Sequence, residues 1–143
     1  MRFRFPRIRP ANPVLPRIRR SIGYAPEADG RPDPGEVVWA WVAFEEDPTR
    51  GKDRPVLVIG EDGGELLALG LTSRDHDLDA DQESSAGREW MDIGIGAWDS
   101  QRRPSEVRLN RVLRLDPARV RREGAALPRD TFDAVIEAAR PYL

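Results

Sequence analysis

The segment Arg54-Pro55-Val56-Leu57-Val58-Ile59-Gly60 limits the fold of this chain more than any other. Four consecutive apolar residues, rich in β-branched side chains and bounded by Pro55 and Gly60, predict a buried strand. The turn signal Glu61-Asp62-Gly63-Gly64 follows, and then a second apolar run ends in Leu69-Gly70-Leu71-Thr72-Ser73. Asp-Gly-Gly between two such runs predicts a β-hairpin. In that hairpin Arg54 stands just before the first strand, while Thr72 and Ser73 end the second. Antiparallel pairing makes those two ends neighbours. An arginine and two hydroxyls at one sheet edge suit a phosphate, because the guanidinium offers a fixed fork of charged donors.

A chain of 143 residues is long enough for one domain with a real core. It contains no cysteine and a single histidine, His76, which excludes a disulfide scaffold, a thiolate zinc site, a cysteine nucleophile and a multi-histidine metal site. Asp75-His76-Asp77 is too thin a ligand set for a metal, so neither metal nor cofactor is expected. No apolar run approaches bilayer length and no apolar leader opens the chain; a soluble, cytoplasmic protein is the expectation.

The net charge of −2 conceals an asymmetry. Residues 1–20 hold seven arginines and no acid, whereas the remainder carries 16 Lys and Arg against 25 Asp and Glu, a charge of −9. With prolines at 6, 10, 13, 16, 26 and 32, residues 1–33 read as an extended or disordered arm ahead of a domain at 34–143. Within the arm, Arg2 to Ile8 alternates basic and apolar residues enough for a short edge strand.

The domain opens with Gly35 to Phe44, a strand apolar on both faces and therefore central in a sheet or at a subunit contact. Its Trp39 and Trp41 are core or interface residues first, with base stacking as the second reading. A polar loop from Glu45 to Asp53 brings Arg50 and Lys52 toward Arg54, and Arg74 follows the hydroxyl pair; these three are candidate substrate-contact cations. The acidic stretch 74–87 reads as an exposed loop, and its His76 is a candidate accessory acid or base because imidazole titrates near neutrality. Arg88 to Ile95 predicts another strand, and Ser105 to Leu115 one or two more, with a bulge near Asn110 that shifts the register. Pro117 to Arg122 predicts a short helix capped by Asp116 and stopped by Gly124. Pro128 to Arg140 predicts the main helix, with Phe132, Val135, Ile136 and Ala139 on one face. Short strands followed by a terminal helix give an α+β, mainly β class, a small β-barrel with helical additions.

Pro34-Gly35-Glu36-Val37-Val38, Arg54 to Ile59, Leu71-Thr72-Ser73 and Ser105-Glu106-Val107, in this order and spacing, resemble the PemK/MazF toxins of bacterial type II toxin–antitoxin systems. The resemblance runs over about residues 34–141, and the segment around Arg54 is its most specific part. It implies an SH3-like barrel with short helices, usually a homodimer, and a cognate antitoxin protein that lies in the substrate groove. It also implies metal-independent cleavage of single-stranded RNA, in which the RNA's own 2′-OH attacks the adjacent phosphate and leaves a 2′,3′-cyclic phosphate. Carried over by motif position, the catalytic residues are Arg54 and Thr72, with Ser73 if the register slips by one. With RNA as the implied substrate, the candidate substrate-contact cations Arg50, Lys52 and Arg74 become candidate RNA-binding ones. Two other readings remain open: a non-catalytic nucleic-acid- or protein-binding module on the same fold, and a toxin directed at DNA gyrase.

Overall fold

A computed structural model describes residues 20–26, 32–72, 87–121 and 125–143. Among these residues six strands occur in the order β1 (Arg20–Ile22), β2 (Val37–Ala43), β3 (Gly51–Asp62), β4 (Glu65–Thr72), β5 (Trp90–Gly94) and β6 (Ser105–Leu115). A 3₁₀ turn at Pro117–Arg119, the helix α1 (Arg129–Ala139) and a closing 3₁₀ turn at Arg140–Tyr142 complete the described chain.

The expected hairpin forms the middle of the sheet. Gly63 and Gly64 join β3 to β4 with φ of 62° and 91°, the doubly left-handed pair that a two-residue turn between twisted strands requires. Every residue from Val56 to Gly60 and from Leu66 to Leu71 is buried, as two uninterrupted apolar runs demand. All pairings are antiparallel, with β3 between β4 on one side and both β1 and β2 on the other. β6 follows β4, and β5 closes the series.

The strand β3 starts at Gly51, inside the segment expected as a loop. Pairing with β2, which sets Ala40 against Arg54 and Ala43 against Gly51, extends it through residues with poor strand propensity. β2 itself is not central. Beyond β3, among the described residues, only the isolated bridges Glu36–Ala126 and Trp39–Arg121 cover its other edge. Residues 20–26, from the stretch expected as an arm, join the fold: β1 pairs with β3, and the Tyr24 hydroxyl donates to the Leu127 carbonyl at 2.8 Å. The expected strand at Arg2 to Ile8, the loop residues 73–86 and Gly124 lie outside the described residues.

The sheet is apolar on both sides, and the two sides differ. One carries Leu57, Ile59, Leu67, Leu69, Leu71 and Val107 beneath α1, which contributes Phe132, Val135 and Ala139. These are the helical positions expected from the periodicity; Ile136 packs at the margin of the same cluster. The opposite side is smaller: Val38, Ala40, Val42, Val56, Val58 and Ala68, with Leu66 and Leu113. This second cluster brings β2 against β6, although β3 and β4 separate them in the sheet. The sheet therefore curls into a half-barrel around it, and short side chains fill the concave face. Each large side chain so buried stabilises the fold by about 1.5–3 kcal/mol.

The short helix after β6 is a single 3₁₀ turn, Pro117–Arg119, shorter than expected. The Asp116 side chain caps it by accepting from the Ala118 N–H at 2.9 Å. The chain turns extended at Val120 because Arg121 exchanges two backbone hydrogen bonds with Trp39, at 2.8 and 2.9 Å.

Candidate active site

At one end of the half-barrel the concave face opens into a cleft of about 290 Å³. The hairpin register explains its centre. Val56 faces Gly70, so continuing the pairing by two residues sets Arg54 opposite Thr72. With period two, Arg54 and Thr72 lie on the same side of the sheet as Val56 and Ala68, the concave side. Gly70, two residues before Thr72 on the same strand, has no side chain, and the Arg54 side chain passes over it: a Cβ built on Gly70 would stand 3.8 Å from Arg54 Cδ.

The bulge in β6 supplies the far wall. Leu69 pairs with Val112 and Leu71 with Val107, so the four residues Arg108 to Arg111 stand opposite Gly70 alone. This irregularity, expected near Asn110, inverts the alternation. Leu109 belongs to the cluster under α1, whereas Leu113 belongs to the concave cluster. Arg108 at the start of the bulge and Arg111 at its end consequently both line the cleft with Arg54. In a regular strand, residues three apart point to opposite faces.

The β2–β3 loop forms the rim. The Phe44 N–H donates to the Arg50 carbonyl at 2.8 Å, the Arg50 N–H to the Asp47 carbonyl at 3.0 Å, and the Thr49 hydroxyl to Asp47 Oδ1 at 2.6 Å. This ordered loop carries Glu45 and Glu46 to the cleft. Glu45 accepts two hydrogen bonds from Arg108, from Nη1 at 2.9 Å and from Nη2 at 3.0 Å. Arg108 Nε donates to Asn110 Oδ1 at 2.9 Å. Arg88 lies 3.6 Å from Glu45 and 3.7 Å from Glu46. Arg111 Nη2 donates to the Ala43 carbonyl at 2.8 Å and so ties β6 across the open side of the barrel to the end of β2.

Among the described residues the lining thus holds five cations, Lys52, Arg54, Arg88, Arg108 and Arg111, against Glu45 and Glu46. An acidic chain contains a locally basic cleft. The hydrogen bonds from Arg108 hold the Glu45 carboxyl below its usual range, aided by the nearby charges of Arg108, Arg111 and Arg88 and opposed by partial burial. Burial lowers the pKa of Arg54, as do the charges of Arg111 and Arg108, while Glu46 raises it. Arg54 Nε is buried with no hydrogen-bond partner among the described residues. A buried guanidinium nitrogen without a partner is uncommon, and it retains the capacity to donate one hydrogen bond.

Of the residues singled out from sequence, Arg54, Thr72 and Lys52 meet in this cleft. Arg50 is exposed in the rim loop and is not among the lining residues. Ser73, Arg74 and His76 lie outside the described residues. Sequence reasoning missed Arg108, Arg111, Arg88 and Glu45. The signal for the first two was present: arginines at 108 and 111, three apart in a strand with an expected bulge between them. Among the described residues, no three His, Cys, Asp or Glu side chains cluster as metal ligands would, and no helix is long and apolar enough to cross a membrane.

No curated protein matches the chain. The fold is similar to that in the crystal structure of MazE-MazF (Form-II) from Deinococcus radiodurans, with a TM-score of 0.52 and 21% identity, over 79% of this chain and 96% of that one. The model of the family described as PemK-like, MazF-like toxin of type II toxin-antitoxin system matches residues 33–143. That match takes in the hairpin, the bulged strand and α1, the elements that build the fold and its cleft, and the chain belongs to this toxin family.

Proposed function

We propose that this chain is an endoribonuclease toxin that cuts single-stranded RNA by internal transesterification. Members of its family are generally endoribonucleases. The observation that carries the reading is the facing of Arg54 and Thr72, beside the side-chain-free Gly70, in a cleft rich in arginine. The RNA supplies the nucleophile. Its 2′ oxygen bonds to the adjacent phosphorus and the bond from phosphorus to the 5′ oxygen breaks, leaving a 2′,3′-cyclic phosphate and a 5′-OH. One proton leaves the 2′-OH and one reaches the departing oxygen. Negative charge gathers on the nonbridging oxygens, where the Arg54 fork and the Thr72 hydroxyl stabilise it. Arginine stays protonated and is a poor base. Proton transfer is therefore assigned to His76 as the accessory acid or base, with no metal in the step; Ser73 is the fallback for Thr72 as the phosphate-binding hydroxyl. Lys52, Arg50 and Arg74 contact flanking phosphates.

The partner we propose is an antitoxin protein that covers the same cleft with acidic and apolar side chains. The solved structure with the same fold is described as MazE with MazF, which supports that pairing. The working form proposed is a cytoplasmic homodimer.

The test is cleavage of a long single-stranded RNA with EDTA present, by the wild type, Arg54→Ala and Thr72→Ala. Cutting at a short repeated sequence with cyclic phosphate ends, lost in both folded variants, is the expected result. A folded, antitoxin-free wild type that cuts nothing overturns the catalytic reading. Binding of RNA without cutting then indicates a binding module, and trapped DNA breaks indicate a gyrase-directed toxin.

A further inference from the structure

The fork of Arg108 is buried, with its side chain 10% exposed, while the carboxylate filling it is 44% exposed. Glu45 therefore lies on the solvent side of the pair. Both outer nitrogens of Arg108 are engaged by the two Glu45 oxygens, and Nε is engaged by Asn110. An incoming phosphodiester reaches that fork only where Glu45 now stands. A phosphodiester presents two nonbridging oxygens and one negative charge, as a carboxylate does, and fits the same two-pronged grip. Glu45 also sits on a loop, whereas Arg54, Arg108 and Arg111 sit on strands, so the acid is the partner that moves with least disturbance of the sheet.

We propose that Glu45 is a built-in stand-in for the substrate phosphate: it holds the Arg108 fork until a phosphodiester displaces it, and so sets how tightly the cleft takes RNA. The inference deepens the ribonuclease reading and rests on it for the substrate. Exchange of one monoanion for another leaves the arginine cluster's charge unchanged. Arg108 is already neutralised when RNA arrives, so gripping a phosphodiester first costs the Glu45 pair. Glu45 is a residue that tunes affinity, not a catalytic one.

The experiment uses the full chain, wild type and Glu45→Gln, with two probes: a short 2′-O-methyl RNA, which cannot react, and inorganic phosphate. Glu65→Gln is the control, because Glu65 pairs with Arg114 at 3.2 Å and neither residue lines the cleft. Glu45→Gln is expected to bind both probes about fivefold more tightly, the size of a partly exposed ion pair. Glu65→Gln matches the wild type. Unchanged or weaker phosphate binding by Glu45→Gln overturns the proposal and makes Glu45 a fixed brace for Arg108. Tighter phosphate binding by Glu45→Gln with no RNA binding by either protein supports the stand-in and removes RNA as the ligand. If Glu45→Gln does not fold, Glu45→Asp, whose shorter carboxylate reaches the fork less well, is read by the same criteria.

Discussion

A Cβ on Gly70 would lie 3.8 Å from Cδ of Arg54, so the arginine crosses the sheet on the space left by a missing side chain. That spacing is ordinary van der Waals contact, which makes the position graded. Gly70→Ala is expected to fold normally and keep most of its RNA cleavage. Gly70→Leu drives a branched side chain into the path of Arg54 and is expected to lower cleavage about a hundredfold, the cost of misplacing a catalytic group by an ångström. Equal activity in the two variants would show that the path of Arg54 over Gly70 is irrelevant.

Arg54→Lys separates charge from geometry. Lysine keeps the positive charge and loses the planar fork that matches two phosphate oxygens. Cleavage is expected to fall by about 10² even though the RNA still binds within a few-fold, as for loss of one donor to a developing oxyanion. Full activity in this variant would mean that a point charge suffices.

Ser105 and Trp98 test the core away from the cleft. The Trp98 indole N–H donates to Ser105 Oγ at 2.9 Å, and the two residues are 4% and 2% exposed. Ser105→Ala removes the acceptor and leaves a buried donor unpaired, for an expected loss of about 1–3 kcal/mol in urea unfolding. Cleavage by the folded variant is expected to remain. An unchanged unfolding midpoint would indicate that the indole finds another acceptor.

Asp99 predicts a pH dependence of stability. Burial alone would raise its pKa, but hydrogen bonds from the Gln101 N–H and from Arg103 Nε, both at 2.9 Å, outweigh it and hold the carboxyl below its usual range. A folded pKa below the unfolded one means stability that is fully present above the unfolded value, about 3.9. That stability is lost as the pH falls through the folded value. The thermal midpoint of the wild type should therefore drop below about pH 4. Asp99→Asn should start lower by about 1 kcal/mol and lose less over that interval. Parallel pH curves for the two proteins would contradict this.

The sequence by itself determined the hairpin, the helix and the family. Each depends on residues close together in the chain: apolar runs that end at Gly60 and Thr72, Gly63-Gly64 between them, and a four-residue helical spacing from Phe132 to Ala139. The placing of Arg54 beside Thr72 was legible for the same reason, because hairpin register is local. Only the tertiary structure decided what surrounds that pair. The curl that bonds Arg111 to the Ala43 carbonyl joins residues 68 apart, and the grip of Arg108 on Glu45 joins residues 63 apart. No local preference encodes such contacts. The bulge was visible as a break in alternation, but which face it gives to Arg108 and Arg111 depends on how β6 pairs with β4. The extent of β3 followed the same logic, since Gly51 to Arg54 become strand by pairing with β2 and not by propensity. A basic cleft in an acidic chain is likewise a property of the fold: net charge counts residues, and the fold chooses which of them meet.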